Sequence, residues 1–126
     1  MPEQSAKSLY ARLGGYDAIA AVADDLLPRL MADAQLGRFW QNRAADGIRR
    51  EKQLLIDFLC ANAGGNLYYT GRDMKTSHLG MGISASDWEF FLAHLNATLA
   101  KFEVPNAERC DVLTFVESTR PDIVEK

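Results

Sequence analysis

His78 is the residue of this chain with the clearest capacity for chemistry, in the run Arg72-Asp73-Met74-Lys75-Thr76-Ser77-His78-Leu79. Imidazole is the commonest protein ligand for a borderline metal and one of the standard axial ligands of haem iron. A haem asks for one such histidine, apolar walls around the macrocycle and cations near its propionates. These residue types are present, yet a lone histidine is more often a surface or internally satisfied residue, and that reading stands beside the other. A zinc site would need four ligands at short spacing, and these are missing. His94 falls off the apolar stripe of its own segment and reads as structural or exposed.

The remaining candidates are weaker. Asp24, Asp25 and Glu51 lie among basic residues on helical stretches and read as solvated faces. No Ser/His/Asp set with a nucleophile motif is present. Gly14-Gly15 lacks the preceding strand and the lysine of a phosphate loop, so it reads as a hinge. Cys60 and Cys110 are far apart, without a CxxC pairing, and are expected to be reduced and buried. A redox role for either would need exposure.

Helices must position these residues. Ala18, Ile19, Val22, Leu26 and Leu30 follow helical spacing, with Asp24, Asp25 and Arg29 on the other side. Pro28 lies inside this run and predicts a bend or an early end, because it lacks an N–H and crowds the carbonyl of Asp24. Leu36, Phe39 and Trp40 form a short apolar group. A polar approach from Arg49 to Gln53 leads into Leu54, Leu55, Ile56, Phe58 and Leu59, with Asp57 marking the solvent face. Gly64-Gly65 predicts the helix stop. Ser84 or Ser86 is expected to cap a helix carrying Asp87 in its first turn and Trp88, Phe91, Leu92, Leu95, Leu99 and Phe102 on one stripe. Pro105 opposes its continuation, and a last helix carries Val112, Leu113, Phe115 and Val116. Strand signals are nearly absent, so the class is all-α. The stretch from Gly64 to Ile83 is rich in glycine, with a short helical piece near Met74 to Leu79; long connections of this kind are usually functional.

The 126 residues, 48% hydrophobic and 25% charged, suit one domain over 1–126 with a core of its own; residues 1–7 are expected to be a flexible N-terminal extension. A formal charge of −3 and a pI of about 5.3 argue against nucleic acid as a partner. No apolar run approaches the roughly 18 residues that span a bilayer. The first residues lack the features of a secretory signal, so a cytoplasmic location, away from membranes, is expected.

Taken in order, Leu9-Tyr10-Ala11-Arg12-Leu13-Gly14-Gly15, Leu30-Met31-Ala32-Asp33, Leu36-Gly37-Arg38-Phe39-Trp40, Lys52-Gln53, Gly64-Gly65, Tyr69-Thr70-Gly71-Arg72-Asp73-Met74, His78 and Gly82-Ile83 resemble the truncated haemoglobins, group I of that family. The resemblance runs from about Ser8 to Val124. It implies a globin-like, two-over-two helical sandwich around a b-type haem (heme b, iron protoporphyrin IX). It also implies that His78 is the proximal iron ligand. Phe39 and Trp40 match an aromatic pair at a helix corner, where one ring packs on the haem; Trp40 stands where Phe is usual. Met74, Ile83, Trp88 and Phe91 match haem-wall positions, each of which could instead be plain core. Arg72 and Lys75 are candidates for propionate pairing or for solvent exposure.

The distal side departs from the family. Many group I members carry Tyr late in the second helix, preceded by Phe or Tyr. Here those positions are Leu27 and Leu26, and leucine cannot donate a hydrogen bond. The next helix often adds Gln. Anchoring on Lys52-Gln53 makes Gln53 the pocket residue but turns Asp57 toward the haem, a costly burial of charge. Anchoring on Gly64-Gly65 puts Leu55, Phe58 and Leu59 on the pocket side, with Gln53 at its border. The two anchors are incompatible by roughly half a helical turn, and the Gly64-Gly65 anchor is preferred. Tyr68 or Tyr69 could substitute as donor.

The resemblance implies reversible binding of a diatomic ligand (O2, CO or NO), and the departure at Leu26 and Leu27 adds the expectation of a mainly apolar distal pocket with reduced discrimination in favour of oxygen. Detoxification of nitric oxide, converting it with oxygen to nitrate, would need an external reductase, since no flavin or nicotinamide motif is present. The alternative is a haem-based redox or ligand sensor acting through a partner protein. A monomer or weak homodimer is expected.

Overall fold

The computed structural model describes residues 8–41, 43–65, 71 and 74–125. The expected extension at 1–7 and the candidates Arg72, Tyr68 and Tyr69 lie outside the described residues. In order, the helices are α1 (Leu9–Leu13), α2 (Gly15–Ala32), a 3-10 segment (Leu36–Trp40), α3 (Ala45–Asn62), α4 (Met74–His78), α5 (Ala85–Lys101), α6 (Asn106–Glu117) and α7 (Arg120–Ile123). No strand occurs among the described residues, and none of their helices is long and apolar enough to cross a membrane.

α2 continues through Pro28 to Ala32, so the helix does not end early there. A proline inside a helix costs about 3 kcal/mol. Ile19, Ala23, Leu26, Leu27 and Leu30 are all buried along this helix, and each buried leucine or isoleucine returns roughly 1.5–3 kcal/mol. Packing on both sides of Pro28 therefore outweighs the local penalty. Pro28 itself is exposed.

The packing divides around α2. Ile19 and Ala23 meet Ile56 and Cys60 of α3 in a small core, with Leu55 and Leu59 against it. Leu26 and Leu30 join Leu36, Ile83, Trp88, Leu95, Leu99, Val112, Val116 and Ile123 in the main core, which binds α2 to α5, α6 and α7. The short α4 packs on α7.

Punctuation in the sequence translates directly into ends of helices. Ser84 caps α5 by accepting from Asp87 N–H at 3.1 Å, and Asp87 answers by accepting from Ser84 N–H at 2.9 Å. Pro105 is the residue before α6. After α3 the chain reverses at Gly64 with φ 96°. A Cβ on Gly65 would lie 2.7 Å from the ring of Tyr10, so this pair seats α1, whose Tyr10 N–H donates to Ala63 O at 2.8 Å.

Candidate functional site

α4 is five residues long and buries none of them, far short of what an isolated helix needs for stability in water. Its spacing nevertheless sets up His78. The imidazole Nδ1 lies 2.8 Å from Met74 O and 2.9 Å from Ser77 Oγ. A carbonyl oxygen can only accept, so Nδ1 carries the ring proton. Nε2 then keeps its lone pair, the form a metal ligand requires. The Ser77 hydroxyl donates to the same carbonyl at 3.2 Å. His78 is half-buried; Lys75, three residues earlier on the same short helix, is exposed.

α3 presents distinct edges. Lys52 pairs with Asp24 of α2 at 2.6 Å, and Ile56 and Cys60 pack on α2. Gln53 donates to Tyr16 OH at 2.9 Å and to Asp57 Oδ1 at 3.0 Å, so Gln53 and Asp57 share an outward edge. Phe58 meets Phe115 of α6 with ring centroids 6.5 Å apart. Leu55 and Leu59 pack against the small core and Phe58 meets α6, while Asp57, paired with Gln53, is itself half-buried.

Glu51 shares the Leu55–Phe58 edge by helical spacing. It accepts from Trp40 Nε1–H at 2.9 Å and from Arg43 at 2.5 Å. This is not the solvated face expected of Glu51. The available signal was the indole N–H of Trp40, which usually finds an acceptor when its ring is partly buried.

The other candidates line the main core. Phe39, Trp40, Met74 and Phe91 are half-buried against it, while Ile83 is inside it. Phe39 and Trp40 pack edge to face, 6.4 Å between centroids. Trp88 is buried, 5.2 Å from the Phe91 ring, with its Nε1–H donating to Glu117 at 2.5 Å. Leu26 lies in the main core. Leu27 is buried at the floor of an open depression of about 520 Å³ between α2 and α3, lined also by Pro28, Met31, Ala32 and Ile48.

Polar clamps hold this frame. Asp87, 1% exposed, accepts from Arg38 at 2.7 Å and from Gln35 at 2.6 Å, locking the 3-10 segment to α5. The Arg38 guanidinium, with help from Ser84 and Gln35, holds the Asp87 carboxyl well below the ordinary carboxylate range. Asp25 is likewise held low, by Lys101 first and then Arg29 and Thr98. Asp33 is lowered by His94, whose Nε2–H donates to it at 2.7 Å, and by the N–H groups of Leu36 and Gln35. His94 is therefore structural. Cys60 is buried, and burial raises its thiol pKa, aided by the Asp57 charge. Cys110, expected to be buried, is exposed: it falls on the side of α6 away from the buried Val112 and Val116.

These residues fit the haem implied by the resemblance. An imidazole engaged through Nδ1 leaves Nε2 open, a band of half-buried apolar side chains lacks full cover, and a lysine lies on the histidine's own helix. Among the described residues no cluster of three or more His, Cys, Asp or Glu could hold a metal ion by itself.

Comparison with known proteins points the same way. A family model described as bacterial-like globin matches residues 8–125. The group 1 truncated haemoglobin of Mycolicibacterium paratuberculosis is 31% identical, over 92% of this chain and 83% of its own. That of Tetrahymena pyriformis is 28% identical, over 95% and 97%. The crystal structure of the Tetrahymena pyriformis protein in its Fe(III) form superposes with a TM-score of 0.86 at 28% identity, covering 95% of this chain and all 100% of that one. The 2/2 haemoglobin of Synechococcus sp., in the cyanomet state with covalently attached haem, does so with a TM-score of 0.86 at 25% identity, covering the same shares.

Proposed function

The chain belongs to the bacterial-like globin family, as a truncated haemoglobin with a haem cofactor, and from that premise we propose that it binds a diatomic gas reversibly at an iron held by His78. Haem iron, when bound, supplies one coordination position for an imidazole and one for a small ligand. The observation that carries the assignment is the bond between His78 Nδ1–H and Met74 O, which orients the ring and leaves Nε2 to coordinate.

The chain's own residues define the rest. Lys75 is the cation on α4 suited to a propionate. Trp40, Phe58 and Phe91 supply apolar wall, and Leu27 and Leu55 supply a ligand side without a hydrogen-bond donor. Such a side would hold a ligand through the iron bond rather than through a polar contact. A hydrogen bond with charge assistance is worth roughly 1.5–3 kcal/mol, so its absence weakens retention of polar O2 more than that of CO or NO. Glu51, tied to Trp40 and Arg43, borders this wall, and Asp24, Arg49 and Lys52 line the depression around Leu27. The globin unit is taken to be the whole of residues 8–125.

Absorption spectra of the ferric, ferrous and carbonmonoxy forms test the reading. A Soret band is expected after expression with haem, and His78→Gly is expected to lose its normal position and to regain it with imidazole in the buffer. A chain that takes up no haem, or a His78→Gly variant with unchanged spectra, would exclude the assignment.

A further inference from the structure

The loop that leaves His78 is held from the far end of the chain. Its packing is uneven: Met81 rests against the main core, but Leu79 is 69% exposed, and a Cβ built on Gly80 would meet no atom within 4 Å. Gly80 and Gly82 lie at φ 83° and 70°, a region open to glycine and strained for other residues. In that conformation both N–H groups reach one carboxylate. Gly80 N–H donates to Glu125 Oε2 at 3.0 Å, and Gly82 N–H donates to Oε1 at 2.7 Å. Glu125 N–H in turn donates to Ile83 O at 2.8 Å. Between the two glycines, Met81 N–H donates to His78 O at 3.2 Å. The helix just before Glu125, α7, packs on α4.

Since α4 is five residues long, buries none of them fully and meets the main core through Met74 alone, the placement of His78 also depends on the loop that follows it. Bonds to a charged acceptor are roughly twice as strong as neutral ones, and one bond to each oxygen also fixes direction. We infer that Glu125 is a positioning residue for His78, its carboxylate setting the 79–82 loop and thereby the orientation in which the imidazole meets the iron. The inference rests on His78 being the iron ligand, as proposed above.

The test uses the haem-loaded ferrous protein, with resonance Raman of the iron–imidazole stretching band, amide exchange at Gly80 and Gly82, and transfer of haem to an apoglobin acceptor. Glu125→Ala is expected to shift and broaden the band, to expose both amides to exchange and to speed haem loss about three- to tenfold. Glu125→Gln keeps one carbonyl acceptor and should fall between. Arg12→Ala, which breaks the surface pairs to Glu108 and Asp111, should leave the band in place, separating positioning from general loss of stability. An unmoved band in Glu125→Ala overturns the inference, whether or not the amides lose protection; so does an equal shift in Arg12→Ala. A band that survives His78→Gly overturns the ligand assignment itself, and the inference with it.

Discussion

Trp40 donates its indole N–H to Glu51 Oε1 across 2.9 Å, tying the end of the 3-10 segment to the inward edge of α3. Arg43 takes the other carboxylate oxygen at 2.5 Å. The pair sets a negative charge, partly balanced, beside the apolar residues proposed to face a bound ligand. It also gives Trp40, larger than the Phe usual at its position, a fixed orientation.

That charge should act on anionic ligands. Glu51→Gln is expected to raise the affinity of the ferric protein for azide about three- to tenfold, because two unit charges of like sign repel by on the order of 1 kcal/mol even through water at close range. Arg43→Ala, which leaves the carboxylate uncompensated, is expected to lower it. Spectrophotometric titration of the three proteins decides this; equal affinities would remove Glu51 from the ligand side.

Leu27→Tyr should restore a donor. The open depression beside Leu27 leaves space for the larger side chain. A hydroxyl bond to the ligand is expected to slow O2 dissociation from the ferrous protein by about one to two orders of magnitude, with a smaller effect on CO. Stopped-flow displacement of O2 by CO measures it. A wild-type rate already as slow as that of the variant would refute the donor-free reading.

Acid should unfold the protein through its clamped carboxylates. Asp25, Asp33 and Asp87 are all held below the ordinary range. They bind protons less readily folded than unfolded. The stability they confer is complete above the unfolded value near pH 4 and is lost as pH falls through their lowered native values. The urea midpoint, followed by far-ultraviolet circular dichroism, should decline below about pH 5. Asp87→Asn should cost about 2–4 kcal/mol at pH 7 and show a shallower decline. An unchanged acid profile in this variant would show that Asp87 does not contribute.

Thiol labelling should separate the two cysteines. Cys110 is exposed, whereas Cys60 is buried with a raised pKa. Native protein treated with Ellman's reagent is expected to react at Cys110 alone, with Cys60 reacting after denaturation. Two fast thiols in the native protein would contradict the packing of α3 on α2.

Much of the helical frame was legible from local pattern. The stripe from Trp88 to Leu99, the Ser84 cap, the stop at Gly64-Gly65 and the short helical piece ending near His78 all depend on neighbours within a turn or two, and local propensity governs them. Pro28 shows the limit of that logic. Its local penalty is real, but the buried leucines of α2 answer to helices whose position no local rule specifies.

The site divides in the same way. Sequence by itself singled out His78 as the histidine that matches the family's proximal position, and determined that the late positions of α2 are leucines without donors and that apolar residues recur at helical spacing. Only the tertiary structure decided which carboxylate meets which donor: Glu51 with Trp40, Asp87 with Arg38, Asp25 with Lys101, Glu125 with Gly80 and Gly82. Hydrophobic period is written along a chain because burial repeats with the helix. A hydrogen bond forms between two atoms that packing brings together, and in most of these pairs the partners lie on separate elements.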